Sequence, residues 1–527
     1  AEEAAEEEEE EEEEEELTKI DFEGLDTRIL HLGAKGISFG NLDAGAEGKL
    51  YYLSTAVDRS SALAMYDLKE RKETSLAKGV SGFGLSADLS QMIVVQGGKF
   101  LIAATGAPVA AGKGVLASDS LEVKIDPRAE WKQIFHESWR INRDYFYDPD
   151  MHGADWPAMR AKYAAFLPHL RSRTDLNRVQ TWLFSELAVG HHNVGGGDLP
   201  SNSNRVSGGL LGADYEVNAD RYRFAKIYGG LNWNPGLRSP LTQPGVNVKV
   251  GEYLLAINGT QLHASNNLHE PFENTVGKTV ELEVGPNADG SESRTIQVNP
   301  VGNDGALRNR DWVEGNYQRV TEATNGRVAY VHVPDTGGGG HQYFKRYFFP
   351  QADRDALIVD DRHNRGGQVA DYVIDHMRRP YVASWATRYG KDLVSPRGSI
   401  DGPNVMLINE HSSSGGDLLP WMFQHLELGT LVGRRTWGGL VGMLGFPPLM
   451  DGGRMTSPNI GFWTEDEGFA VENVGVPPHV EVNMYPADCL NGRDPQLERA
   501  IEIALEQLAA NPPKTYKKPA LPVRVRR

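Results

Sequence analysis

The stretch Asn409 to Asp417, NEHSSSGGD, sets three serines between an apolar run and a glycine pair. A serine hydroxyl becomes a useful nucleophile only where a base takes its proton and backbone amides await the oxyanion. Upstream, PNVMLIN reads as a buried strand; downstream, GDLLPWMFQHLEL reads as a helix, so the turn lies where a sheet hands over to a helix N-terminus. Ser414 is the best placed of the three, because Gly415 and Gly416 follow it and let a substrate backbone come close. Ser412 and Ser413 read as turn or cap residues. A second junction of the same build, ALIVDDRHNRGGQVADYVIDHM, puts Gly366 and Gly367 at its turn. Their amides would supply the other half of an oxyanion hole beside that of Gly415.

Histidine is the usual base for such a hydroxyl. Of 15 histidines, His191 stands out because it follows a helix and a glycine and opens the loop HHNVGGGD, with His192 as its rival. No ligand-spaced set of His, Cys and Asp argues for a metal, and the chemistry needs no cofactor.

These groups need a framework. Residues 17–116 alternate short β-type runs with turn residues in two passes that resemble blades of a β-propeller, too few to close a ring. Residues 120–207 turn helical, from DPRAEWKQIFHESWRINRDYFYD through segments Trp156–Phe166 and Leu176–Leu187. Residues 208–301 are β-rich again, with an Asn-Gly hairpin signal at Asn258 and Gly259, and look like a PDZ domain. In that reading Gly209, Leu210, Leu211 and Gly212 form the loop whose amides receive a peptide carboxylate. Residues 302–510 alternate strands and helices as an α/β layer with a largely parallel sheet, and 511–527 form a basic, proline-containing tail.

Charge narrows the function classes. The formal net charge is −18, but 13 acidic residues lie in the first sixteen positions, a run expected to form a disordered tail. Beyond it, 59 acidic and 54 basic residues nearly balance, which leaves no basic footprint for nucleic acid. The single cysteine, Cys489, allows no intramolecular disulfide. No apolar run reaches membrane-spanning length, so a soluble, cytoplasmic chain is expected.

The motifs VGHHNVGGGD, DDRHNRGGQ, NEHSSSGGD, GRRTWGGLVG and VENVGVPP, in that order, resemble the tricorn protease family, serine peptidases related to tail-specific and C-terminal processing peptidases. The resemblance covers residues 120–505 and implies a multidomain α+β chain: partial propeller blades, a helical domain, a PDZ-like β domain and an α/β catalytic domain of crotonase-like or tail-protease-like type. It implies Ser414 as nucleophile, His191 as general base and Glu472 as the acidic residue that orients the base. It also implies peptide substrates, no cofactor and a homohexamer, without nucleic-acid or membrane partners. Two positions depart from the family pattern: Gly190 stands where a serine precedes the histidine, and Gly415 where an aspartate follows the nucleophile. No aspartate lies between Met377 and Lys391, where a carboxylate selecting basic side chains is expected. The competing reading is a PDZ-containing peptide-binding scaffold with impaired chemistry, which the Gly190 departure favours.

Overall fold

A computed structural model of the chain describes residues 21–24, 27, 32, 38–110, 112–199 and 205–525. The acidic run 1–16 lies outside the described residues. The chain divides into two compact units, residues 1–125 and 126–527.

In the first unit, strands Ser38–Ala44, Lys49–Thr55, Ser61–Asp67 and Lys72–Lys78 form an antiparallel meander. Val80–Leu85, Gln91–Gln96 and Lys99–Ala104 form a second, three-stranded sheet. Neither sheet closes on itself, as expected for isolated blades. Alternating side chains bring Tyr51, Leu63, Leu76, Phe83 and Leu101 into one core.

The second unit begins with three helices: α1 (Pro127–Tyr145), α2 (Trp156–Ala164) and α3 (Arg173–Ser185). Asp126 caps α1 by accepting the Arg128 and Ala129 amides, and Ser172 with Asp175 forms a capping box on α3. Their apolar stripes meet through Ile134, Phe135, Trp139, Leu176, Leu183 and Phe184. An antiparallel sheet follows, in the order Arg294–Val298, Val280–Gly285, Tyr253–Ile257, Arg221–Ile227, Ala213–Asn218. The expected Asn258–Gly259 turn is present, both residues at positive φ, between Tyr253–Ile257 and the short strand Thr260–Gln261.

The last layer is a five-stranded, all-parallel sheet, ordered Val328–His332, Ala356–Asp360, Asn404–Ile408, Gly429–Gly433, Val480–Glu481. The three strands Val328–His332, Ala356–Asp360 and Asn404–Ile408 are buried throughout, which explains their unbroken apolar sequences. Helices α4 (Gly305–Ala323), α5 (Gly338–Phe348), α6 (Ala370–Met377), α7 (Gly415–His425), α8 (Pro486–Leu490) and α9 (Pro495–Ala510) complete the layer. Of these, α6 and α7 match expected segments and the other four are additional. Helix α5 opens on a run of glycines, yet it forms because Asp335 Oδ1 accepts the Gly337 and Gly340 amides, each at 2.8 Å, and Phe344 and Phe348 are buried.

Residues 511–525 belong to no helix or strand, but Tyr516 stacks on Tyr381 with ring centres 3.6 Å apart, and Lys518 pairs with Asp392 at 2.9 Å. Among the described residues no helix is long and apolar enough to cross a membrane.

Candidate active site

The strand Asn404–Ile408 runs out at Asn409, and its neighbour Ala356–Asp360 runs out at Asp361, so their following turns lie side by side. Hydrogen bonds join the turns. Ser412 Oγ donates to the Asp361 carbonyl at 2.8 Å, and the Ser413 amide donates to the Asn364 carbonyl at 2.9 Å. These bonds give Ser412 and Ser413 the turn-building roles expected of them. Ser414 is the residue before α7, at φ 58° and ψ −113°, a conformation an L-residue adopts only when its surroundings enforce it. The enforcing group is Asp417, whose Oδ2 accepts the Ser414 amide at 2.7 Å.

The neighbouring turn is equally constrained. Asn364 Oδ1 accepts the Gly366 amide at 2.8 Å, and Asn364 Nδ2 donates to Asp361 Oδ1 at 2.7 Å. The amide of Gly366 is thereby engaged, which leaves Gly367 as the donor of that pair for any oxyanion. Gly366 itself serves by being small: a Cβ there would lie 2.6 Å from Ser414 Cβ, and its φ of 81° is left-handed. A Cβ on Gly415 would lie 2.0 Å from Thr336 Oγ1 and 2.8 Å from the Gly367 nitrogen. A Cβ on Gly416 would lie 2.9 Å from Asn364 Cβ. Gly415 and Gly416 are buried, so their smallness lets the two turns interlock; it does not open a path for a substrate backbone, as the sequence suggested.

His191 reaches this region from 223 positions before Ser414 in the sequence. Beyond α3 the backbone turns through Ala188 and His191, both at positive φ, and is then stitched to residues of the α/β layer. Val194 and Gly195 pair antiparallel with Met455 and Arg454. The Asn193 amide donates to Thr456 Oγ1 at 2.7 Å, and that hydroxyl donates to the His191 carbonyl. Below the loop, Arg173 and Asp451 form an ion pair at 2.5 Å with both side chains 1 % exposed. Glu472 clamps the turn from the other side: Oε1 accepts the Gly190 amide and Oε2 the Leu440 amide, each at 2.6 Å.

Burial pushes the His191 imidazole below the ordinary histidine value, while the charges of Glu472 and Asp417 pull it back up. Its Nδ1 is buried with no hydrogen-bond partner among the described residues. The ring lies 5.5 Å from that of Trp437, whose amide donates to the Ser412 carbonyl at 2.9 Å. The rival His192 has a different environment. It is stacked between Phe146 and Phe184, its Nε2 is 2.9 Å from Asn142 Oδ1, and burial pushes it down to about 4. That histidine is a neutral packing group.

Asp417 is the residue that sequence reasoning passed over. Besides the Ser414 amide it accepts the Gly438 amide at 2.8 Å, the Gly439 amide at 3.2 Å and the Thr436 hydroxyl. Burial pushes its carboxyl up against these four donors. The S-x-x-D spacing from Ser414 to Asp417 is a capping signal that pointed to it.

Comparison with known proteins agrees with this frame. Residues 127–181 match the tricorn protease C1 domain, 209–303 the tricorn protease PDZ domain and 327–482 peptidase family S41. Tricorn protease homolog 1 of Streptomyces coelicolor is 32% identical across 96% of this chain and 49% of its own length. The chain belongs to the tricorn protease family. Tricorn protease of Thermoplasma acidophilum is 30% identical over 85% of this chain and 41% of its own. A crystal structure of the tricorn protease superposes with a TM-score of 0.83 at 29% identity, covering 90% of this chain and 47% of that one. The chain spans about half the length of these relatives.

Both departures from the tricorn pattern have a visible setting. A Cβ on Gly190 would lie 3.3 Å from Glu472 Oε1 and 3.2 Å from the Trp437 ring, so a side chain there would enter the space beside the carboxylate. At Gly415 no side chain fits. In the tricorn PDZ domain, a groove of about 500 Å³ runs along Gly209–Tyr215, Leu268, Phe272 and Arg308. The Gly209 amide already donates to the Phe272 carbonyl at 2.9 Å and the Leu210 amide to the Val301 carbonyl at 2.7 Å. Two amides of the four-residue loop expected to receive a carboxylate are thus already engaged.

Proposed function

We propose that this chain carries the catalytic machinery of a serine endopeptidase that hydrolyses short or unfolded peptides through an acyl-enzyme, downstream of larger proteases. Ser414 Oγ attacks the peptide carbonyl carbon while His191 takes its proton. The carbonyl oxygen becomes an oxyanion facing the Gly415 and Gly367 amides. Collapse breaks the carbon–nitrogen bond as the imidazolium protonates the leaving amine, and water then repeats the sequence on the ester to release the acid and restore Ser414. Glu472 fixes the backbone before His191 and stabilises the imidazolium by its charge. No metal or cofactor takes part in these steps.

The observation that carries this reading is Ser414 held at positive φ against Gly366, at a helix N-terminus, with Asp417 gripping its amide and lending charge to His191. Family membership supports peptide substrates, a cytoplasmic setting and a homohexamer. The unpartnered His191 Nδ1 is what favours the scaffold alternative, in which the PDZ groove binds peptides and the chemistry is impaired. A fluorophosphonate probe decides between them. Labelling of the wild type that disappears in Ser414→Ala is expected; a folded wild type that takes up no label overturns the peptidase reading.

A further inference from the structure

Thr336 follows the strand Val328–His332 and is completely buried, yet its Oγ1 has no hydrogen-bond partner among the described residues. Buried hydroxyls are ordinarily paired, because leaving one unmade forfeits its hydration without return. Its surroundings make the case unusual. The Thr336 amide donates to the Gly366 carbonyl at 2.9 Å, and the Thr336 carbonyl accepts the Val369 amide at 2.6 Å, so the backbone straps down both ends of the Gly366–Gly367 turn. A Cβ built on Gly415 would fall 2.0 Å from Thr336 Oγ1, 2.4 Å from the Gly367 carbonyl oxygen and 2.8 Å from the Gly367 nitrogen. The unpartnered hydroxyl and the Gly367 peptide group therefore crowd the same side of Gly415, where the serine turn and the glycine turn touch.

Resting on the peptidase reading, we propose that Thr336 is a positioning residue of the oxyanion site, its hydroxyl a third dipole behind the Gly415 and Gly367 amides. A hydroxyl rotor tied to nothing can turn its hydrogen toward negative charge when that charge appears, and no water competes for it at this depth. It needs no contact with substrate; it acts through the two amides it adjoins. Such an arrangement sacrifices some stability in the resting protein for a field available only when the oxyanion forms.

The test uses the full chain and compares wild type, Thr336→Val, Thr336→Ser and Thr336→Ala by the second-order rate of fluorophosphonate labelling and by Tm. Valine keeps the shape and removes the hydroxyl, so labelling is expected to slow about tenfold, below the 10² to 10³ typical of a direct oxyanion donor. Its Tm should be unchanged or raised, because an unpaired buried polar group has gone. Serine keeps the hydroxyl and should label within about twofold of wild type, the range of a conserved donor. A residue that only fills space would give the reverse order, with serine impaired and valine normal. Valine labelling as fast as wild type overturns the proposal, as does a folded Thr336→Ser as slow as Thr336→Ala, a comparison that stands even if the valine variant fails to fold. No labelling of the wild type overturns the peptidase reading and this inference together, whereas equal labelling of wild type and valine overturns this inference alone.

Discussion

The two halves of the candidate site are built on opposite plans. The serine and glycine turns are neighbours in one parallel sheet, joined by hydrogen bonds from Ser412, Ser413, Asn364 and Asp417 within the α/β layer. The histidine turn arrives from a helical module and is held by partners more than 250 residues away, among them Asp451, Thr456 and Glu472. The first half inherits its geometry from a buried sheet; the second depends on docking between modules. Damage to the docking should therefore disable the base while leaving the serine turn in place.

That contrast can be broken outright at its best-defined point. Ser414→Ala should lower turnover on a fluorogenic peptide on the order of 10⁶-fold with an unchanged thermal transition, and His191→Ala should do nearly as much. Retention of substantial activity in either variant would move the chemistry elsewhere. Asp451→Ala is the next largest. It strands the buried Arg173 guanidinium, a change that costs about 3–5 kcal/mol, and should lower Tm and activity together. Amide hydrogen exchange locates the damage: faster exchange is expected at residues 188–196 and not at 404–417, and uniform loosening of both would abolish the distinction between them.

Glu472→Gln tests electrostatics at smaller amplitude. The base must be neutral to act, so activity fades as pH falls through the His191 pKa. Burial already sets that value below the ordinary histidine range, near 6.5. Removing the Glu472 charge removes a force that raises it, so the acidic limb of kcat/KM should move to still lower pH while the maximum rate falls about tenfold. A limb that stays put, or moves up, contradicts the assigned pairing. The smallest effect is expected from Gly190→Ser, which places a hydroxyl beside Glu472 at the cost of a slight shift of the Trp437 ring. Peptide turnover should rise a few-fold as the histidine gains an anchored neighbour, and a loss beyond tenfold would mean that the space beside Glu472 is already committed.

The legible parts of the sequence follow the same division. Strands, the serine turn and the glycine turn could be read because each is a local pattern: an apolar run, then small or polar residues, then helical periodicity. That the Gly366 amide is already engaged was beyond sequence, since the Asn364 side chain engages it. Telling the environments of His191 and His192 apart was equally so, because Phe146, just past the end of α1, and Phe184, on α3, enclose His192 from segments distant in sequence. Helix α5 was hidden by its glycine run, whose poor propensity is overridden by the Asp335 cap and by two buried phenylalanines. Gly415 was legible as a glycine that mattered, but its reason lay in Thr336, 79 positions upstream in the chain.

Trp437 stands where the two halves meet, its backbone tied to the serine turn and its half-exposed indole beside the His191 ring. An imidazolium quenches a neighbouring indole more strongly than a neutral ring does, so the chain carries its own optical gauge of His191. The emission lost on Trp437→Phe should brighten and dim with the charge state of a single histidine, with no substrate present at all.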